Sequence, residues 1–218
     1  MNSIKMLIPK GRMFEGIASL LFEAGYELSK DESGFRPVVK DEKLKIKIVK
    51  ARDIGKLVEI GAYDVGITGK DWLEERGSRV IELLDLGLYS GKVVAAIPIN
   101  SILDSQPLNG NTLFVASEFE NLTRAFMESL PVKYVLLNSC GATEAYPPED
   151  ADLIVDNTFT GKTLERNNLK IWRKILDTSA RLVVNPYSLQ NSGKKKKIDE
   201  ITGKLANAIK LRNLELGE

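Results

Sequence analysis

Histidine is absent from the 218 residues of the chain. Its absence excludes Ser-His and Cys-His nucleophile pairs, histidine acid/base chemistry and zinc held by histidine. Any catalysis must therefore use carboxylates, lysine, arginine, hydroxyls, backbone amides, or a metal ion held mainly by the substrate.

Cysteine is nearly absent, since Cys140 is the single one. An intramolecular disulfide is impossible, and a reducing compartment is expected. The first residues, MNSIKMLIPKGR, reach a lysine too early for the apolar segment of a signal peptide. No apolar run approaches the length of about 18 residues that suggests a membrane span. We predict a cytoplasmic protein in which Cys140 is a small buried residue, because no base that could activate it is evident.

Excess charge of one sign is also missing, because the formal net charge is +1. The molecule is therefore not built to coat nucleic acid. Its one dense charge run is KKKK at Lys194–Lys197, which we interpret as a solvated loop or the start of a helix. A hydrophobic content of 43% is ordinary for a globular protein with a real core.

Short apolar strands alternate along the chain with polar, glycine-bearing turns and amphipathic helices. In the first unit of this kind, IKMLIP precedes the turn KGR and a helix with apolar residues at helical spacing: Met13, Phe14, Ile17, Leu20 and Leu21. The alternation predicts an α/β fold with a largely parallel sheet. The last helix is expected from about Ile198 to Leu214.

The strand–helix pattern occurs on both sides of the segment GKVVAAIPINS. We therefore predict two α/β lobes, the first made of 1–95 with 178–218 and the second of 96–177. Ligands in such folds gather at the carboxyl ends of the strands, so the polar turns would line one cleft if the lobes face each other. Two helix starts also show capping-box spacing, Asp71 with Glu74 and Ser117 with Glu120.

The stretch DLIVDNTFTGKTLER carries the most specific chemistry. A buried strand ends at Asp156, and a turn rich in threonine then leads through Gly161 and Lys162 into a short helix. Unpaired amides at a helix start suit an anion, and a carboxylate suits the hydroxyls of a sugar. The spacing is not that of a P-loop. The residues alone leave two readings open, a sugar-phosphate cradle or an ordinary turn into a helix that stops at Asn167-Asn168.

Together with other segments, this stretch resembles the catalytic subunits of the ATP phosphoribosyltransferase family. The matching pieces are IPKGRM, GAYDVGITGKDWLEE, ELLDLG, VASEFENLTRAF, GATEAYPPEDADLIVDNTFTGKTLERNNL and SARLVVNP. They follow the family's order from residue 8 to about 186, which is nearly the whole chain. Each piece is moderately specific, and the combination is strong.

The resemblance implies a fold like that of two-lobed (type II) periplasmic binding proteins. It also implies transfer of 5-phosphoribosyl from phosphoribosyl pyrophosphate to N1 of ATP, with Mg²⁺ held mainly by the substrate phosphates. This would be the first step of L-histidine biosynthesis. The first lobe would hold nucleotide and pyrophosphate, and the second would bind phosphoribosyl pyrophosphate.

Family motifs assign roles to individual positions. By resemblance, the catalytic residues would be Lys10, Arg12 and Asp156. The substrate-binding residues would be Gly11, Asp64, Gly69, Lys70, Asp71, Glu118, Arg124, Gly141, Ala142, Thr143, Glu144, Thr158, Thr160, Gly161, Lys162, Thr163 and Leu164. No protein metal ligand is expected. For several positions a plainer role stays open: Arg124 and Glu144 as paired surface charges, Gly69 as a packing residue, and Asp71 as a helix cap.

Two features set the chain apart within that family. The segment after ELLDLG is LYSGK, where the resembled family commonly has a more basic sequence. The chain also resembles the short form, which works with a separate subunit similar to histidyl-tRNA synthetase. Such a partner and a homodimer are expected. Two other functions remain open, a non-catalytic two-lobed protein that binds a small anion and a phosphoribosyltransferase with another acceptor base.

Overall fold

The computed structural model of the chain describes residues 3–29, 34–105, 110 and 112–216. The chain divides into two compact units, Met1–Tyr89 with Ser179–Glu218, and Ser90–Thr178. Residues 90–95, which the sequence pattern grouped with the first lobe, therefore belong to the second unit. The reason is that the strand Gly91–Pro98 pairs entirely within the sheet of the second unit.

The first unit contains a five-stranded sheet in the order β4-β1-β5-β12-β6 and a two-stranded sheet of β2 and β3. Strands β1, β4 and β5 run parallel to one another, and β12 is antiparallel to both β5 and β6. The strands are β1 (Ile4–Pro9), β2 (Leu28–Ser29), β3 (Val38–Val39), β4 (Leu44–Val49), β5 (Val65–Gly69), β6 (Ile81–Asp85) and β12 (Ala180–Val184). The helices are α1 (Phe14–Glu23), α2 (Ala51–Glu59), α3 (Lys70–Arg76) and α6 (Ser192–Leu216).

Strand β1 is buried on both faces, which explains its almost continuous apolar sequence. Ile4, Met6 and Ile8 belong to the core cluster that also contains residues of α1 and α6. Leu7 points to the other face, where it packs with Ile54 of α2. Because both faces are covered by helices, the carboxyl end of β1 is held rigidly where the turn at Lys10 begins.

The second unit contains a five-stranded mixed sheet in the order β11-β7-β10-β8-β9. Strands β10, β8 and β9 are parallel, whereas β7 is antiparallel to both β10 and β11. The elements are β7 (Gly91–Pro98), β8 (Thr112–Ser117), α4 (Glu120–Glu128), β9 (Lys133–Asn138), β10 (Leu153–Thr158), α5 (Lys162–Arg166) and β11 (Leu169–Thr178). The predicted α/β class is confirmed, while β11 is a strand that the sequence pattern did not predict.

Both predicted capping boxes are wrong. Helix α3 begins with Gly69 as its N-cap, and Asp71 lies inside its first turn, where it accepts a hydrogen bond from Trp72 N at 2.9 Å. The N-cap of α4 is Phe119, and its N–H donates to the Ser117 hydroxyl at 2.9 Å. The spacing of the two motifs was right, but each helix starts two residues away from the position that a capping box requires.

The lysine run at 194–197 lies in the first two turns of α6, so the helix starts six residues before the expected Ile198. The prediction that the run is the start of a helix is confirmed; Lys195 and Lys196 are exposed, whereas the other two lysines are anchored by ion pairs. Lys194 pairs with Asp64 at 2.6 Å, and Lys197 pairs with Asp41 at 2.5 Å and Glu200 at 2.9 Å. The run therefore attaches the last helix to the rest of the first unit. Within the described ranges, no helix is long and apolar enough to cross a membrane.

Candidate active site

Three stretches that were predicted to bind substrate come together at one edge of the second unit's sheet. The parallel strands β8, β9 and β10 end at Ser117, Asn138 and Thr158, and the carboxyl ends of parallel strands meet at the same edge. Glu118 directly follows β8, the loop with Gly141–Glu144 follows β9, and the threonine-rich loop follows β10.

Hydroxyl groups tie these three strand ends to one another. The Ser117 hydroxyl donates to Val155 O at 2.7 Å, which joins β8 to β10. Ser139 N donates to Ser117 O at 3.0 Å, and the hydroxyls of Ser139 and Thr143 are 2.9 Å apart. Ser117, Ser139 and Thr143 are buried, so these bonds are shielded from water. The sequence predicted Ser117 only as a helix cap and gave Ser139 no role, because a serine after a strand is too common a signal to reveal a bond between strands.

Asp156 is the partly buried acid of this edge. Burial raises the pKa of its carboxyl group to about 6, and the negative charges of Glu144 and Glu118 act in the same direction. The Asn157 N–H, which donates to Asp156 Oδ1 at 2.7 Å, and a hydrogen bond with the Thr143 side chain oppose that shift. The three carboxylates repel one another, which fits a site that receives hydroxyl donors or a cation.

The loop after Asp156 is a compact turn held by its own threonines. Gly161 N donates to Thr158 Oγ1 at 3.0 Å, and Lys162 N lies 3.5 Å from Thr160 Oγ1. Gly161 has a φ of +78°, a conformation that strongly favours glycine. Thr160, Lys162 and Thr163 are exposed, and Leu164 anchors α5 in the core. The predicted stop is confirmed, because α5 ends at Arg166 and Asn168 has a φ of +53°.

Arg124 does not join this group of residues. It lies one turn into α4, where its guanidinium donates to Glu120 Oε1 from Nε at 3.1 Å and from Nη2 at 2.9 Å. It also hydrogen-bonds the Tyr134 side chain. Tyr134 belongs to the amino-terminal part of β9, away from the edge where Thr143 and Asp156 lie. The alternative reading of Arg124 as a paired surface charge describes its contacts, although its partner is Glu120 rather than Glu144.

A second group of predicted residues lies at the carboxyl edge of the first unit's sheet. Lys10 follows β1, and its N–H donates to Val49 O at the end of β4 at 2.8 Å. The 3-10 turn Gly11–Met13 leads from there into α1. On the neighbouring strand β5, Gly69 is the last residue and Lys70 begins the helix that follows. The carboxylate of Asp71 covers the position that a Cβ of residue 69 would occupy. Lys10, Arg12 and Lys70 therefore concentrate positive charge along one edge.

Asp64 does not belong to that edge, although its motif also contains Gly69. It precedes β5 and lies at the opposite, amino-terminal end of the strand. It is 4% exposed and accepts from Lys5 N at 2.9 Å, the Ser188 hydroxyl at 2.7 Å and Lys194 Nζ at 2.6 Å. These contacts give Asp64 a structural role, so we do not include it among the proposed nucleotide contacts.

A cavity of about 340 Å³ opens beside Lys10 and Gly11 in the first unit. Apolar side chains form most of its wall: Phe14, Leu28, Phe35, Pro37 and Ile48. This cavity could not be predicted from the sequence, because its lining residues come from four separate elements and connections. Elsewhere, in the second unit, the prediction of a buried cysteine is wrong, because Cys140 is exposed.

The two-unit α/β architecture is that of type II periplasmic binding proteins. Among solved structures, the substrate binding protein of an amino acid ABC transporter shares the fold with a TM-score of 0.54 at 14% identity, over 98% of this chain and 94% of that one. The aliphatic sulphonate binding protein SsuA from Escherichia coli has a TM-score of 0.56 at 14% identity, over 100% of this chain and 76% of that one.

Within this class, the sequence and the structure indicate one family. The family model described as HisG: ATP phosphoribosyltransferase matches residues 50–207. The ATP phosphoribosyltransferase of Chlorobium phaeovibrioides is 36% identical over 213 residues, 94% of this chain and 71% of that protein. The ATP phosphoribosyl transferase (HisG:HisZ) complex from Thermotoga maritima contains a chain 28% identical to this one with a TM-score of 0.82, over 95% of this chain and 98% of that one. The chain belongs to the ATP phosphoribosyltransferase family.

Proposed function

We propose that the protein transfers the 5-phosphoribosyl group of phosphoribosyl pyrophosphate to N1 of ATP, giving N1-(5-phosphoribosyl)-ATP and pyrophosphate. It is thus a pentosyltransferase of the first step of L-histidine biosynthesis. Family membership supports the reaction. The structural observation that carries the proposal is the edge of the second unit, where a partly buried carboxylate is followed by an exposed threonine- and glycine-containing loop at a helix start.

In this proposal, Asp156 accepts hydrogen bonds from the ribose hydroxyls. The 5-phosphate binds to the Thr158–Leu164 loop, where the first-turn amides of α5 lack intrahelical partners and the side chains of Thr160, Lys162 and Thr163 are exposed. Glu118 and Gly141–Glu144 form the adjoining wall, with Thr143 holding the Asp156 side chain through its hydrogen bond. The tight Thr158–Gly161 hydrogen bond fixes the loop before substrate arrives.

The first unit supplies charge for the phosphates and a place for the base. Lys10 and Arg12, with Gly11 between them, would neutralise the pyrophosphate or the ATP phosphates, and Gly69, Lys70 and Asp71 would complete the nucleotide side. The cavity beside Lys10 has the size and the apolar, phenylalanine-containing wall that suit a purine ring.

The reaction needs no nucleophile from the protein, which agrees with a chain that has no histidine. The neutral N1 of adenine attacks the anomeric carbon, the new N1–C1 bond forms, and the bond from C1 to the pyrophosphate oxygen breaks. Pyrophosphate leaves with the electron pair of that bond. The protein must align the two reactants and stabilise an oxocarbenium-like transition state with developing negative charge on the leaving group.

Mg²⁺ is part of the proposal as an ion brought in by the substrate. Within the described part of the chain, no group of three or more Asp, Glu, Cys or His side chains is arranged to hold a metal. Mg²⁺ commonly binds substrate phosphates and keeps several waters, so the proposal gives the protein no metal ligand of its own. When bound, the ion would supply positive charge to the pyrophosphate.

Assembly is a further component of the proposal. The Thermotoga maritima neighbour is part of a HisG:HisZ complex, and this chain covers 98% of the matched chain there. We therefore propose that this chain also works with a regulatory subunit similar to histidyl-tRNA synthetase, and that the catalytic chain forms a homodimer. A cytoplasmic location follows from the same metabolic role.

A coupled assay tests the function directly. Purified protein with phosphoribosyl pyrophosphate, Mg²⁺ and ATP should release pyrophosphate and generate the absorbance of an N1-substituted adenine. Running the assay with and without the regulatory subunit also measures how far activity depends on that partner. Ligand binding without pyrophosphate release under both conditions would favour a non-catalytic binding protein. Pyrophosphate release only with a different base would identify another acceptor.

Thr160→Ala tests the phosphate loop. The hydroxyl is exposed and lies at a long 3.5 Å from Lys162 N, so its loss should leave the fold intact and raise KM for phosphoribosyl pyrophosphate by about 10-fold. Steady-state kinetics and thermal unfolding measure the two effects. Thr112→Ala is the matched control, because Thr112 is exposed at the amino end of β8. An unchanged KM in Thr160→Ala would mean that its hydroxyl does not contact the substrate.

A further inference from the structure

Tyr89 makes an unusual contact with the first turn of α1. Its side-chain oxygen accepts a hydrogen bond from Gly16 N at 3.0 Å, although the two residues are 73 positions apart in the chain. Gly16 N is one of the first N–H groups of α1, which have no carbonyl partner inside the helix. Met13, the N-cap residue, provides no side-chain hydrogen bond. Tyr89 therefore supplies from a distance the cap that the local sequence lacks.

The surroundings of both residues are shaped for this contact. A Cβ at position 16 would lie 2.6 Å from the Tyr89 hydroxyl and 3.1 Å from Cζ, so the phenol can approach only because residue 16 is glycine. Tyr89 itself has a φ of +53°, a left-handed conformation that non-glycine residues rarely adopt. Its ring also packs against the same core cluster as Met13 and Phe14. Backbone conformation, packing and hydrogen bonding thus all place the hydroxyl at this point.

The contact bears on the turn Lys10–Arg12, because hydrogen bonds are made on both sides of that turn. Upstream, Lys10 N is bonded to Val49 O at 2.8 Å. Downstream, the 3-10 turn runs directly into α1, whose first turn is held by Tyr89. Loss of the hydroxyl would leave the upstream bond intact and remove one of the contacts that hold the downstream end, beside the bond from Phe14 N to Gly11 O.

We propose that Tyr89 is a positioning residue that holds the Lys10–Arg12 turn for catalysis by capping α1 through its hydroxyl. The inference rests on the proposed function, in which Lys10 and Arg12 act on the phosphates. Tyr89 lies in the segment LYSGK, directly after ELLDLG. As a positioning residue, it would act on the reaction through the placement of Lys10 and Arg12.

Tyr89→Phe is the direct test, with Tyr187→Phe as control because the Tyr187 side chain is exposed. The expected result is a decrease in kcat of about 10-fold, with KM for both substrates within about twofold, since small misplacement of a catalytic group lowers the rate more than binding. A lower Tm with unchanged kcat would show a purely structural role and overturn the proposal. An inactive wild-type enzyme would instead refute the proposed function.

A double-mutant cycle adds a readout that a general loss of stability would not produce. Gly16→Ala should displace the phenol and lower both kcat and Tm. In Gly16→Ala/Tyr89→Phe, the atom nearest the new methyl group is Cζ at 3.1 Å instead of the hydroxyl at 2.6 Å. The double variant should therefore have a higher Tm than Gly16→Ala while its kcat stays at the Tyr89→Phe level. Strictly additive losses in Tm would contradict the proposed contact.

Discussion

Asp156→Asn should make the protein more stable and much less active. The folded protein raises the pKa of Asp156 to about 6 because the carboxyl group is buried and faces Glu144 and Glu118. The unfolded chain ionises at the ordinary pKa of 3.8, whereas the folded protein ionises only at about 6. The resulting destabilisation of the native state therefore begins above pH 3.8 and is fully present above about pH 6. Removing that charge should stabilise the protein by about 1–2 kcal/mol at pH 8, after allowance for partial exposure.

The gain in stability has a defined pH dependence. Below pH 3.8, Asp156 is protonated in both the native and the unfolded chain. The difference in Tm between Asp156→Asn and wild type should therefore disappear in acid and be greatest above about pH 6. Thermal unfolding from pH 4 to pH 8 measures it. Asp177→Asn serves as control because Asp177 is exposed. A variant that is less stable than wild type at pH 8 would contradict this account.

The same substitution should lower kcat/KM for phosphoribosyl pyrophosphate by about 100-fold, since hydrogen bonds from the ribose hydroxyls to a charged group would be weakened. In the wild type, kcat/KM should rise with pH through about 6 and then level off as Asp156 ionises. Activity would thus require ionised Asp156, the form that the folded protein without substrate disfavours. Kinetics with full activity in Asp156→Asn would remove this residue from the site.

Asp64→Ala should have the opposite pattern, a large loss of stability with unchanged substrate binding. The substitution would leave Lys5 N, the Ser188 hydroxyl and Lys194 Nζ without their acceptor. We expect a cost of about 3 kcal/mol, equivalent to a Tm lower by roughly 6–12 °C. KM for ATP and for phosphoribosyl pyrophosphate should remain within about twofold, because Asp64 lies at the end of β5 opposite Gly69.

Two comparisons sharpen the test of Asp64. Burial alone raises the pKa of Asp64, but the hydrogen bonds from Lys194, Lys5 N and Ser188, with the charge of Lys194, outweigh it and hold the pKa below its usual range. The stabilisation is therefore present at neutral pH and lost as the pH falls through the lowered pKa, so the variant and wild type should converge in acid. Lys195→Met, which removes an exposed i,i+4 pair with Asp199, should cost less than about 1 kcal/mol. A raised KM for ATP in Asp64→Ala would restore the nucleotide role.

The strand–helix alternation was sufficient to predict the fold class and the strand ends at which the candidate site residues lie. Strand β1 is recognisable as an almost continuous apolar run because both of its faces are buried, and β4 as an alternating sequence because its faces differ in burial over Leu44–Ile46. Strand β11 was missed because its pairing with β7 shifts register twice, between Ile171 and Arg173 and between Lys174 and Leu176. Each shift breaks the two-residue alternation on which sequence prediction depends.

The geometry of the candidate site was predictable where its chemistry is local, and not where it depends on distant partners. The Asp156 loop contains its carboxylate, its threonines and its left-handed glycine within a few residues. Asp64 was misplaced because a motif fixes spacing along a strand and not which end of it faces substrate. The contact of Tyr89 with Gly16, and the burial that raises the pKa of Asp156, both require elements that are far apart in sequence.

The strand order of the first unit also determines when its sheet can close during synthesis. Strand β12 lies between β5 and β6, yet it follows the whole second unit in the chain. On the ribosome, β6 has no pairing partner in the described sheet until β12 emerges, whereas Ser90–Thr178 is contiguous and can fold as soon as it is made. The second unit is therefore complete first, whereas the first unit cannot complete its sheet until β12 has been synthesised.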